Sequence, residues 1–182
     1  MTETATLAGG GPERTELPNP AAALELAFGR VLAQQMQGVP MLNPALRVRA
    51  LGFAPWHEHW LGVLVTPWFM NLMLLPRVAA QWQPIAERDK RQYRFPAGVF
   101  EFIGGRDADL GDYQACSLFS PMFEFADDEA ACATAEAALA ALFDAGNRPD
   151  SPAPAAEPAA PAPTLSKRSF LFGTAPRADR GP

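Results

Sequence analysis

Residues 59–76, HWLGVLVTPWFMNLMLLP, constrain this chain more than any other stretch. All but His59 and Asn71 are apolar, Gly, Pro or Thr, and no formal charge interrupts them. About 18–20 apolar residues suffice for a membrane-crossing helix. Three features turn the reading elsewhere. Pro67 splits the run, and proline breaks a helix interior. Gly62 to Thr66 reads as β. Gly52, Phe53 and Pro55 just upstream read as sheet and turn. The run is therefore the expected buried heart of a small domain, part of it a sticky surface, with no membrane span.

A chain of 182 residues fits one domain plus flanks. Its 48% hydrophobic content can fill a core. The 19 prolines are about twice the usual share, and eight of them follow residue 148. Net charge is −5. Residues 147–182 hold five basic and three acidic side chains, so the rest of the chain carries −7. That balance offers no face for tracking phosphates and speaks against nucleic-acid binding. Cys116 and Cys132, with no C-x-x-C spacing, make a secreted disulfide framework improbable and point to the cytoplasm. Residues 1–18 lack the basic and apolar regions of a secretory signal.

Hydropathy patterning gives the elements. Residues 1–17 are polar and Gly-rich and are expected to be disordered. Asn19-Pro20 opens a helix over about 20–37, with Leu24, Phe28, Val31, Leu32 and Gln35 on one stripe and Gly38 and Pro40 as the stop. From Leu46 the period shortens to two, predicting a strand over 46–51, a turn at 55–58 and a returning strand over 59–66. Residues 67–70 should turn, and 72–75 should form a short buried strand or helical turn. Further strands are expected near 91–95, at 99–103 ending on Gly104-Gly105, and at 112–119 closed by Ser120-Pro121. Asp127 or Asp128 caps a last helix to about Phe143, with Cys132, Ala135, Leu139, Leu142 and Phe143 as its bulky stripe. The expectation is an α+β domain over 18–146: a mainly antiparallel sheet of four to six strands packed with two helices, between disordered termini. Residues 147–182 follow as a Pro/Ala-rich linker and tail peptide.

WLGVLVTPWFMNLMLLP (60–76), preceded by LGFAPW (51–56), resembles the signature of the HybE/HupJ family of NiFe-hydrogenase assembly chaperones. FPAGVFEF (95–102) and YQACSLFSPM (113–122) fit at the expected distances, and the resemblance covers about 20–145. It implies a cytoplasmic, non-enzymatic chaperone without a cofactor of its own. Its partners would be the small Fe–S subunit precursor or the large subunit of a NiFe hydrogenase, with other accessory proteins, before twin-arginine export. The small subunit is preferred, because it carries the export signal. Some members carry an appended rubredoxin-like domain, which needs four cysteines in paired C-x-x-C units; this chain has two cysteines in all.

Four constellations could carry function. Trp60, Pro67, Trp68, Phe69, Met70 and Met73 suit a partner-binding face, since aromatic anchors dominate interfaces and methionine adapts to irregular partners. Plain core packing explains the same residues, with Trp68 and Phe69 the expected exceptions because the proline turn would project them. His57 and His59 could share a Zn²⁺, but two ligands fall short of a site; an exposed hairpin turn is the simpler reading. Cys116 could serve a thiol-dependent enzyme or redox protein if a histidine came near, or act as a small buried hydrophobe. Cys132 is expected on the buried stripe. A scaffold that bridges accessory proteins is the third functional class. SKRSFLFG (166–173) resembles a twin-arginine motif with Lys167 in place of the first arginine. It stands at the wrong end to export the chain. Arg168, Phe170 and Leu171 could instead grip a groove, here or on a partner, or the likeness is chance. Asp107, Asp109 and Asp112 lack the ligand order of a calcium loop.

Overall fold

The computed structural model describes residues 15–148. Helix α1 runs Ala21–Gln35. Asn19 sets its start from one residue further out than a usual cap: Oδ1 accepts from the Ala21 N–H at 3.0 Å. The same amide donates to the Phe53 carbonyl at 3.0 Å, which ties the helix entry to the sheet. Leu24, Ala27 and Phe28 are buried, whereas Val31 and Leu32 of the expected stripe are half-buried. The second half of α1 therefore stands partly clear of the sheet.

Six antiparallel strands follow: β1 Arg49–Trp56, β2 His59–Val65, β3 Met70–Pro76, β4 Lys90–Phe95, β5 Gly98–Asp107 and β6 Gly111–Phe119. Their order is β1-β2-β3-β6-β5-β4. β1 begins three residues later than the alternation at Leu46 predicts. The reason lies in the backbone: Leu46 N–H donates to Asn43 and Arg47 N–H to the Asp128 carboxylate at 2.9 Å, so neither serves a ladder. β1 also continues through Pro55, expected in a turn. An edge strand tolerates a residue without an N–H, and the turn shrinks to His57-Glu58, with His57 at φ 51°. Residues 72–75, ambiguous from periodicity, lie in β3.

Gly104-Gly105 does not end β5. A Cβ on Gly104 would lie 2.4 Å from the Ala86 carbonyl oxygen, and one on Gly105 2.5 Å from the Tyr113 ring. These glycines mark close approach inside a strand rather than its end. Segment 77–89, with a 3₁₀ turn at Ala79–Gln81, crosses here.

Helix α2, Asp128–Leu142, starts on Asp127, whose carboxylate accepts from the Ala130 N–H at 2.8 Å. Its buried side chains are Ala131, Ala135, Ala138 and Leu142, a stripe turned by about one residue from the expected one. Cys132 and Leu139 are half-buried and Phe143 is 46% exposed. Contact with the sheet selected the small alanines, which let the helix axis come close, over the bulkier side chains.

The helices lie on opposite faces. α1 packs with Trp60, Leu64, Met73 and Leu75; α2 packs with Leu61, Val63, Val65, Leu72, Leu74, Cys116 and Phe102. The alternate residues of β2 and β3 thus feed two cores, which is why residues 59–76 read as uniformly apolar. The sheet is open but strongly curled. Trp56 on edge strand β1 stacks on Phe95 of edge strand β4, with ring centroids 4.4 Å apart and planes 20° apart. Among the described residues no helix is long and apolar enough to cross a membrane.

Candidate partner-binding face

The turn that joins β2 to β3 is built on Thr66. Its backbone N–H and Oγ1 both donate to the Phe69 carbonyl, at 2.8 and 3.0 Å. Oγ1 accepts in return from the N–H groups of Trp68 and Phe69. Pro67 removes one backbone donor and fixes φ at the corner. The result is a rigid four-residue turn.

This turn fixes the two aromatic side chains that follow Pro67. Trp68 and Phe69 are half-buried. Phe69 meets Phe28 of α1 edge-on at 5.8 Å and Trp68 at 5.5 Å. Each ring keeps one side against the α1-side core and the other toward solvent. The remaining residues of the expected face lie deeper. Met70 and Met73 are fully buried, Pro67 is buried, and Trp60 is buried with its indole N–H on the Leu17 carbonyl at 3.1 Å. Arg168, Phe170 and Leu171 lie outside the described residues.

Sequence reading missed the residue that organises the surroundings. Asn43, 7% exposed, receives the Ala45 N–H on Oδ1, donates through Nδ2 to the carbonyls of Met122 and Phe125, and donates its backbone N–H to Pro67. One residue thus ties segments 39–46, 66–69 and 119–126 together, the first and last through its side chain and the second through its backbone N–H. Ser120 Oγ adds a bond to the Trp68 carbonyl at 3.3 Å. Met41 and Phe123, 43% and 59% exposed, stand on the two segments so joined. Their signal was the Asn43-Pro44 turn and the isolated apolar residues beside it.

Other candidates settle differently. His59 is half-buried among Trp56, Trp82 and Tyr93, with centroids 5.4–6.1 Å away. Burial, then His57, lowers its pKa. His57 is exposed. Among the described residues no group of three or more His, Cys, Asp or Glu could hold a metal ion. Cys116 is 3% exposed and pairs with Leu72, whereas His59 pairs with Pro76; the intervening strand β3 and a four-residue step separate them. Cys132, expected to be buried, lines a groove of about 680 Å³ beside Arg47, Arg49, Asp127 and Asp128. Burial, then Asp128, raises the pKa of its thiol and keeps it protonated. Arg49 donates to Asp128 at 3.0 Å, and that hydrogen bond raises its pKa. Asp107 caps its own turn by accepting from Asp109 and Leu110, while Asp109 and Asp112 pair with Arg30 and Arg106.

Residues 19–173 match the family described as NiFe-hydrogenase assembly, chaperone, HybE. The chain is 42% identical over 166 residues to the hydrogenase expression/formation protein HupJ of Bradyrhizobium diazoefficiens, covering 86% of this chain and 94% of that one. It is 38% identical over 136 residues to the probable rubredoxin HupJ of Rhodobacter capsulatus, covering 75% of this chain and only 49% of the relative, so it spans about half of that protein. The solution structure of HybE from Escherichia coli superposes with a TM-score of 0.57 at 21% identity, over 82% of this chain and 93% of that one, which shows a shared fold.

Proposed function

The chain belongs to the HybE family of NiFe-hydrogenase assembly chaperones, and we propose that it holds an immature hydrogenase subunit on the face built around Trp68 and Phe69. One observation carries this reading: two half-exposed aromatic rings are held rigid by the Thr66 turn, and the adjoining segments present Met41 and Phe123. Interface anchors are of this kind, large side chains ordered before the partner arrives. Trp60, Pro67, Met70 and Met73 serve the face from beneath, by fixing the turn and its strands.

The preferred client is the small Fe–S subunit precursor, with the large subunit as the other choice. The tail's likeness to an export motif supports that preference. Arg168, Phe170 and Leu171 would add grip on the same client. Binding takes place in the cytoplasm, before twin-arginine export, and needs neither turnover nor a resident cofactor. A thiol enzyme is less well supported, because Cys116 is buried away from both histidines.

Affinity capture from a hydrogenase-producing host tests the reading. Tagged protein should retain a hydrogenase subunit precursor. Trp68→Ala and Phe69→Ala should lose it while Cys116→Ala keeps it. Loss with Cys116→Ala alone would replace the holding role by a thiol-dependent one. Capture of accessory proteins without any subunit would favour a scaffold.

A further inference from the structure

A groove of about 450 Å³ runs along the outer side of α1, lined by Gly29, Leu32, Ala33, Gln37, Gly38 and Leu42. No formal charge lines it. It exists because the second half of α1 stands clear of the sheet and segment 38–42 folds back beside it; Met36 N–H returns to Val31, and Leu42 N–H to Val39. Two features describe what fits there. The walls are aliphatic or small apart from the neutral Gln37. The last turn of α1 holds no basic residue, so the helix supplies no cation of its own at the negative end of its dipole.

We propose that the chain's own peptide 165–173, LSKRSFLFG, docks in this groove. Phe170, Leu171 and Phe172 supply the apolar filling, and Lys167 and Arg168, just before them, supply positive charge for the helix end. The peptide carries two positive charges and no negative one, against a formal −7 for the chain before residue 147. The larger groove beside α2 suits it less. There Arg47, Arg49, Glu25, Asp127, Asp128 and Glu129 line the walls, and a Phe-Leu-Phe run would have to sit among six charged side chains.

Length and similarity both allow the contact. From Arg148 to Lys167 the chain can span at most about 65 Å, whereas a domain of roughly 130 residues has a radius of gyration of ~14 Å. The family match opens at residue 19, at the start of α1, and closes at residue 173, the end of the peptide. The Bradyrhizobium relative aligns over 86% of this chain, more than residues 1–148 could supply. The peptide thus falls inside the pattern that also contains the helix. This contact stands whether or not the client reading does.

Hydrogen exchange on the full-length chain tests it. A tether holds its peptide at an effective concentration of about a millimolar; with a groove affinity of ~100 μM the docked form outweighs the free one by about tenfold. A Phe170→Asp, Leu171→Asp, Phe172→Asp variant should therefore speed exchange across residues 29–42 by roughly tenfold, with β2 and β3 unchanged. The complementary variant is Gly29→Leu. A Cβ on Gly29 meets nothing within 4 Å, so the side chain fills the groove without disturbing the fold. It should expose the Phe170–Phe172 bonds to chymotrypsin about tenfold faster while the melting temperature holds. Unchanged exchange at 29–42 in the tail variant, or unchanged cleavage in Gly29→Leu, would overturn the proposal. Protection that disappears on dilution would overturn it too, since the tail would then belong to another copy.

Discussion

Trp68 and Phe69 share a turn with residues that have a different task. Met73, three residues beyond the start of β3, is fully buried. Met73→Ala should cost ~2–5 kcal/mol of stability through the cavity it leaves, and the unfolding midpoint in urea should fall. Trp68→Ala removes a ring that is half in solvent. It should cost less stability than a fully buried aromatic, ~3–5 kcal/mol. It should also lower client affinity by ~2 kcal/mol, roughly 30-fold. Melts beside binding isotherms separate the two, and equal loss of folding in both variants would place Trp68 in the core. His59 gives a pH signature. Its folded-state pKa lies below the ordinary 6.5 because burial disfavours the cation, with His57 and Arg91 adding repulsion against a smaller pull from Glu58. Between the two values the unfolded chain binds the extra proton, so stability is full above about pH 6.5 and falls as the pH drops through the lower folded value. Urea unfolding at pH 7.5 and 5.5 should show that loss, and His59→Gln should shrink it.

At the scale of elements, the caps and the tight contacts carry the argument. Asp127→Ala removes the bond to the Ala130 N–H and should cost ~1 kcal/mol, seen as an earlier thermal transition. Gly104→Ala presses a methyl group against two backbone carbonyls, those of Ile85 and Ala86, at 2.6 and 2.4 Å. Neither can swing aside as a side chain would. The variant should lose ~1–3 kcal/mol and speed hydrogen exchange in segment 77–89 first. The Asp127 cap was legible, because a capping carboxylate acts on donors three residues away. Gly104 misled, because glycine punctuates turns and also permits close approach. Only the crossing of segment 77–89, far from it in the chain, decides between the two.

For the whole molecule the closing contact is the stack of Trp56 on Phe95, which joins the two edges of the open sheet through side chains. Beneath it Tyr93 donates to the buried Gln114 at 2.8 Å, and Gln114 and Arg91 both donate to the Gln83 carbonyl. Phe95→Ala should cost ~3–5 kcal/mol. Hydrogen exchange should rise in β1 and β4 together, although no ladder connects them. A rise confined to β4 would mean that the edges are held independently.

The sequence by itself determined that residues 59–76 lie largely inside, that two helices bracket an antiparallel sheet, and that the chain resembles a family of hydrogenase assembly chaperones. Those properties follow from local periodicity, from capping chemistry and from a long, unusual motif. Tertiary structure alone decided that α1 and α2 take opposite faces. It also decided that Ala131, Ala135 and Ala138 rather than Cys132 meet the sheet, that Asn43 ties three segments to the Trp68 turn, and that a groove remains beside α1. Each of these depends on which distant backbone arrives opposite a residue. A side chain's own hydropathy carries no record of that arrival.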